Sequence, residues 1–152
     1  MSVTALRDAR QSVETRFGRL MHAPGDVVTM VEALAGFETC RRYVLLSPPE
    51  IAPLVCLQGL DGGRPSFLAV APHIADPGFS CELSPADCAR LGLPTPPAPE
   101  APALWLALVR VGPNDASANL RAPIVINPTR MVGLQLVPAT SRYPTEHPLP
   151  LG

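Results

Sequence analysis

The sequence contains no lysine, so all twelve of its basic residues are arginine. Thirteen acidic residues bring the formal net charge to −1, and no run of like charges stands out. A protein that binds nucleic acid usually shows an excess of Arg and Lys or a basic patch. The Arg41-Arg42 pair is too small for such a patch, and direct binding to RNA or DNA is therefore not expected.

Long apolar stretches are also missing. The longest run covers residues 103–109, far short of the ~20 residues that a membrane span needs. The N-terminal residues lack the apolar stretch of a secretory signal. We therefore expect a cytoplasmic protein, in which disulfides are rare. Four cysteines are expected to remain free thiols: Cys40, Cys56, Cys81 and Cys88.

The sequence has few of the patterns that carry catalysis or bind metals. The cysteines form no CxxC pair, the three histidines are scattered, and no Gly-x-Ser-x-Gly elbow or phosphate-binding glycine loop occurs. We therefore expect no metal, no cofactor and no enzymatic activity. An enzyme that uses a Cys–His pair brought together only by the fold stays open as an alternative.

Proline is abundant, with 20 residues, and it favours many short elements over a helical bundle. The apolar patterns predict strands at 13–20, 27–31, 42–46, 54–60, 66–70, 103–111, 124–126 and 134–137. A glycine-containing loop at 61–64 predicts a hairpin. Many short strands with turn signals at close spacing favour a mostly β fold class, an antiparallel barrel or sandwich in one small domain.

One short helix is predicted at 84–92, where Ser84 suits the N-cap, Pro85 the first turn and Gly92 the left-handed C-terminal stop. The ten residues 93–102 hold five prolines and are interpreted as a long loop inside one domain. Residues 1–12 are expected to be flexible or to form a short helix. The domain proper then covers 13–149.

Two amides fall within or beside apolar strands, Gln58 and Gln135. A buried amide needs hydrogen-bond partners, so each is expected to tie a strand to a loop. A polar contact at a binding edge is the alternative.

The most informative segment is 118–127, Ala-Asn-Leu-Arg-Ala-Pro-Ile-Val-Ile-Asn. Asparagine tolerates turn conformations and hydrogen-bonds to nearby backbone, and Pro123 suits the start of a strand. The pattern predicts a loop held by Asn119 and Asn127 that leads into a buried strand.

This segment resembles the signature of the FliW family of flagellar assembly factors, whose pattern is A-N-L-x-x-P-I-V-I-N. The family's G-x-Q-x-V strand and Y-x-x-x-H-P-L tail are matched at 133–137 and 143–149. Weaker upstream matches follow in the same order: T-x-x-F-G at 14–18, the turn Leu-Ala-Gly-Phe-Glu at 34–38, Leu-Gln at 57–58 and a strand ending in proline at 66–72. Together they span residues 13–149.

The resemblance implies a small β-barrel-like fold without catalysis and with two protein partners. These are flagellin and CsrA, a small RNA-binding dimer that represses translation of flagellin mRNA. It further implies that the protein antagonises this repression by partner exchange. The candidate residues, for which partner contact and a structural role are equally open, are Gly36, Phe37, Gln58, Asn119, Leu120, Pro123, Ile124, Asn127 and Gln135. A barrel that binds a small ligand is the alternative function.

Overall fold

The structure is a computed structural model that describes residues 11–95 and 103–150. Its strands are β1 (Gln11–Thr15), β2 (Gly18–His22), β3 (Val27–Met30), β4 (Arg42–Leu46), β5 (Val55–Gly59), β6 (Ser66–Val70), β7 (Leu104–Val111), β8 (Ala116–Ala118), β9 (Ile124–Asn127), β10 (Val132–Gln135) and β11 (His147–Pro148). Its α-helices are α1 (Pro72–Ala75) and α2 (Pro85–Leu91), and 3-10 turns cover Pro24–Asp26 and Pro49–Ile51.

Seven strands close into a barrel in the order β7-β6-β5-β4-β3-β10-β9, because β9 returns to pair with β7. All neighbours in this ring are antiparallel except β3 and β10, which run parallel. One edge of β7 pairs with β6, and its other edge is shared. Residues 104–106 pair with β9, and residues 109–111 pair with β8. Strands β8 and β11 therefore extend the sheet outside the ring.

Apolar side chains fill the barrel, as the two-residue alternation of strands requires. Tyr43 and Leu57, both 0 % exposed, lie at its centre. The other buried members of this core are Val28, Met30, Leu34, Cys40, Ala69, Leu106, Ile124 and Ile126.

The outward faces of the barrel strands are covered by three further apolar clusters. The β1–β2 hairpin packs on β4 and β5, α2 packs on β9 and β10, and the C-terminal residues pack on β7 and β8. The buried members of the hairpin cluster are Val13, Val44, Leu46 and Cys56. Those of the α2 cluster are Cys88, Leu91, Leu93, Val125, Leu134 and Leu136. Those of the C-terminal cluster are Val70, Ala107, Ala116, Ala118, Leu120, Tyr143 and Leu149.

The N-cap and the C-terminal stop predicted for helix α2 are confirmed. The Ser84 hydroxyl accepts a hydrogen bond from the Asp87 N–H at 3.1 Å, and Gly92 ends the helix with φ +72°. This positive φ is a backbone conformation that favours glycine.

The fold class is confirmed, and several details differ from expectation. Residues 13–20 form a hairpin rather than one strand, because Gly18 adopts φ +94° and turns the chain between β1 and β2. Helix α1 and the short strands β8 and β11 were not predicted, since two to four residues carry too little periodicity. Strand β10 begins at Val132, two residues before the expected start.

Parts of the predicted domain limits lie outside the described residues. These are residues 1–10 and 96–102, which hold most of the expected N-terminal segment and of the proline-rich loop. Gln11 and Ser12, assigned to that N-terminal segment, instead belong to β1.

The barrel core gives a stability prediction. Leu57→Ala removes a side chain that is 0 % exposed and should lower the free energy of unfolding by about 2–5 kcal/mol, through lost burial and a residual cavity. Val137→Ala, at a position 81 % exposed, is the control and should change it by less than about 0.5 kcal/mol. Urea unfolding followed by circular dichroism measures both. Equal effects would contradict the assignment of the core.

The loop of the β5–β6 hairpin is tied to β4 by an ion pair. Asp61 Oδ1 accepts hydrogen bonds from Arg42 Nη2 at 2.6 Å and from Arg42 Nε at 2.9 Å. Asp61 Oδ2 accepts another from the Arg42 N–H at 3.0 Å. These bonds favour the carboxylate, and the pKa of Asp61 is therefore lowered from its ordinary value of 3.8.

The lowered pKa of Asp61 determines the direction in which the stability of the fold changes with pH. The ion pair stabilises the fold above pH 3.8, the ordinary value, and this contribution is lost as the pH falls through the lower folded pKa. Asp61→Asn should therefore be less stable than the wild type at pH 7, with a difference that shrinks towards pH 2. Urea midpoints measured across this range test it. Glu50→Gln is the control and should follow the wild type throughout, whereas a constant deficit for Asp61→Asn would contradict the linkage.

Candidate protein-binding surface

The signature segment forms the corner at which β7 changes partner. Strands β8 and β9 pair with the same edge of β7, so residues 119–123 must cross from one to the other. The Asn119 N–H donates to the Leu108 carbonyl at 2.9 Å, which holds the start of the crossing against β7. The segment thus joins the ring to its external extension.

The Asn119 side chain shapes this corner. Its Oδ1 accepts hydrogen bonds from the N–H groups of Arg121 and Ala122, at 3.1 and 3.0 Å. Two backbone donors that leave the strand ladder are thereby satisfied by one amide oxygen. This confirms the predicted asparagine-held loop at its first end.

Strand β10 holds the other side of the corner. The Leu136 N–H donates to the Pro123 carbonyl at 2.8 Å, and Gln135 Nε2 donates to the Ala122 carbonyl at 3.2 Å. The amide of Gln135 thus ties a strand to a loop, which is the structural role considered for it.

Asn127 holds the second end of the segment. Its Nδ2 donates to the Leu91 carbonyl at the end of α2, at 2.8 Å, and its Oδ1 accepts from the Thr129 N–H at 3.0 Å. Asn127 is 3 % exposed, and its bond to the Leu91 carbonyl is buried, while its bond to Thr129 is partly exposed. The residue connects the last strand of the ring to the helix that covers it.

The apolar residues of the segment face the core. Leu120 is 1 % exposed and Ile124 is 0 % exposed, and Pro123 is buried as well. Ile124 belongs to the barrel core, whereas Leu120 belongs to the cluster that covers the outside of β7 and β8. The structure therefore gives them a packing environment, while partner contact at the motif as a whole stays a prediction.

Gln58 lies apart from the corner. Its Nε2 donates to the carbonyls of Gly59 and Arg64, at 3.1 and 3.4 Å, while its Oε1 is buried without a partner in the described chain. The contact with Arg64 ties β5 to the hairpin loop, so Gln58 also links a strand to a loop.

The turn at Gly36 and Phe37 contributes the most exposed of the predicted residues. Gly36 adopts φ +85°, and its exposed N–H donates to Glu38 Oε1 at 3.1 Å. The Phe37 ring is 40 % exposed and meets the Phe67 ring edge-on, with centroids 4.9 Å apart. The buried part of Phe37 packs on Phe67, which in turn packs against the barrel core, and the exposed part is open to solvent.

The predicted residues thus fall into separate places rather than one patch. Six of them build or brace the corner: Asn119, Leu120, Pro123, Ile124, Asn127 and Gln135. Gln58 lies at the β5–β6 hairpin, and Gly36 and Phe37 lie in the turn before β4.

A surface groove was missed by sequence reasoning. It has a volume of about 550 Å³ and lies between the end of β10 and the start of α2. Three acidic side chains and one arginine line it: Glu32, Glu82, Asp87 and Arg90. Val137, 81 % exposed, stands at its rim. These residues come from three separate parts of the sequence, and no local pattern joins them.

The described residues contain no group of three or more His, Cys, Asp or Glu side chains placed to hold a metal ion. All four cysteines are free, and three of them are buried. Burial raises the pKa of the Cys81 thiol, the half-buried one. Across 11–95 and 103–150, none of the helices has the length and apolar character needed to cross a membrane.

The alternative of a small-ligand barrel requires an internal cavity with convergent polar groups. The interior is instead packed with the apolar side chains of the barrel core. The groove described above lies on the surface, as does a second opening lined by Ser80, Leu120 and Tyr143. The geometry favours recognition at the outside of the barrel.

Comparison with known proteins gives a consistent result. The sequence model of the family described as FliW protein matches residues 11–149. The flagellar assembly factor FliW of Geotalea uraniireducens is 34 % identical over 136 residues, which cover 88 % of this chain and 80 % of that protein. The FliW of Moorella thermoacetica is 32 % identical over 142 residues, covering 91 % and 87 %. A crystal structure of a flagellar assembly factor FliW superposes with a TM-score of 0.81 at 24 % identity, covering 93 % of this chain and 99 % of that one.

The corner predicts a specific effect of substitution. Asn119→Ala leaves the N–H groups of Arg121 and Ala122 without their acceptor and should cost about 0.5–1.5 kcal/mol of stability, since these groups are only partly shielded from water. Asn119→Asp keeps an acceptor oxygen at the same place and should recover much of this loss. Urea unfolding of the two variants and the wild type checks both. If Asn119→Ala matched the wild type, the corner would not depend on this amide.

Proposed function

Because the chain belongs to the FliW family, we propose that it is a flagellar assembly factor that acts by binding two proteins in turn, flagellin and CsrA. The observation that carries the proposal is the family match over residues 11–149, which includes the whole signature segment. Binding of CsrA relieves its repression of flagellin synthesis, and newly made flagellin then displaces CsrA. No catalytic step is assigned to the chain. The site of action is the cytoplasm, where translation takes place.

The filled barrel supports a surface function. Tyr43 and Leu57 at its centre are 0 % exposed, so the role of the interior side chains is to stabilise the fold. Recognition then falls to exposed loops and to strand edges, whose main-chain groups can pair with an incoming segment. Within the described residues, free edges remain on the β1–β2 hairpin, on β11 and at the end of β10.

Partner exchange sets a requirement on affinities. Two ligands that compete for one protein shift its populations only through their relative affinities and concentrations. Each tenfold difference in Kd corresponds to about 1.4 kcal/mol. The two complexes therefore need similar free energies, so that a rise in flagellin concentration is enough to release CsrA.

The proposal is tested by calorimetric titration of this protein with CsrA and with flagellin from its own source. We expect saturable binding of both. Flagellin added to the preformed CsrA complex should release CsrA, which size-exclusion chromatography detects as a separate peak. A cooperative urea transition of the same sample confirms that it is folded. A folded sample that binds neither protein would refute the proposal, and simultaneous binding of both would refute partner exchange.

A further inference from the structure

The end of β10 has an unpaired edge. Within the antiparallel ladder of β9 and β10, Leu134 and Leu136 direct their backbone groups towards β9, as shown by the bond from the Leu136 N–H to the Pro123 carbonyl. The backbone groups of Gln135 and of Val137 must therefore point the other way, towards β3. Neither N–H has a backbone acceptor in the described part of the chain.

At this open edge the Arg41 side chain stands in the place of β10 as a hydrogen-bond donor. The parallel pairing of β3 and β10 ends with the bond from the Val31 N–H to the Gly133 carbonyl, at 2.8 Å. The next bond of such a ladder would run from the Gln135 N–H to the Val31 carbonyl. Arg41 Nη2 donates to that carbonyl instead, and Arg41 Nε donates to the neighbouring Met30 carbonyl at 2.9 Å. The ladder with β3 stops there, and beyond Gly133 no described strand pairs with this edge of β10 along the groove.

The walls of the groove favour a positively charged occupant. Glu82 and Asp87 are lining residues without an ion-pair partner in the described chain, whereas Glu32 is paired with Arg90. The exposed Val137 side chain offers an apolar contact beside the open edge. An extended segment that places a basic side chain near Glu82 would combine main-chain pairing with charge complementarity.

We propose that the groove receives an extended, basic segment of CsrA, which adds a strand to β10 along residues 135–137. This inference rests on the proposed function for the identity of the partner. Of the two partners, the RNA-binding one is the charge match, because proteins that bind nucleic acid carry an excess of Arg and Lys. Unpaired edges are also the usual place at which a sheet accepts another chain.

Two variants test the proposal in titrations of the intact protein with CsrA. Val137→Pro removes an N–H from the open edge, and Glu82→Arg reverses a charge on the wall of the groove. Each should weaken CsrA binding by about tenfold or more. The effect of Glu82→Arg should shrink as salt rises, because added ions screen exposed charges. Neither position contributes to the buried clusters, and urea unfolding verifies that both variants fold.

Each variant has a matched control. Val137→Ala shortens the same side chain and keeps the N–H, and Glu50→Arg makes the same charge reversal at an exposed site that does not line the groove. Glu50→Arg should bind CsrA within about twofold of the wild type. Val137→Ala loses part of the apolar contact but keeps the N–H, so it should weaken CsrA binding clearly less than Val137→Pro. If Val137→Pro failed to fold, Glu82→Arg and Glu50→Arg would still decide the question.

The outcomes separate the inference from the proposed function. No binding by the folded wild type refutes the function itself. Wild-type binding with unchanged affinity in Val137→Pro and Glu82→Arg refutes the groove as the CsrA site. If these two variants lost flagellin binding but kept CsrA binding, the groove would be a flagellin site. That result would overturn the proposal as well.

Discussion

The whole fold depends on how the second edge of β7 is divided between β8 and β9. A barrel closes only if its last strand returns to its first, and here that return uses residues 104–106 of β7. The chain must leave β8, cross at 119–123 and re-enter as β9 without leaving buried backbone groups unpaired. Asn119 on one side and β10 on the other satisfy these groups. The most recognisable segment of the sequence is therefore the one that closes the barrel.

The same constraint explains which features could be read from the sequence. Strands β4 and β6 have the predicted limits, and α2 has the predicted caps, because each depends on local patterns of apolar residues and capping groups. The asparagine-held loop was also predictable, since asparagine acts on backbone only a few residues away. The resemblance to a known family then supplied the expectation of a barrel.

Features that depend on distant partners were not predictable. The parallel pairing of β3 with β10 joins residues about a hundred positions apart in the sequence. No local pattern in β10 predicts this pairing. The hydrogen bond from the Arg41 side chain to the Val31 carbonyl was not predictable either, because it depends on how the folded chain places the two residues. Consequently six of the nine candidate residues were those of the corner, while the groove beside Val137 had no signal in the sequence.

Residues that identify the family and residues that meet a partner are thus separable in this account. The corner gains stability from buried contacts, and the groove is open because one ladder ends early. Hydrogen–deuterium exchange of the protein with and without CsrA tests this division most directly. The account predicts that amides of 118–127 are protected in the free protein and unchanged on binding, while those of Gln135 and Val137 become protected only in the complex. New protection at 118–127, with none at Gln135 and Val137, would contradict it.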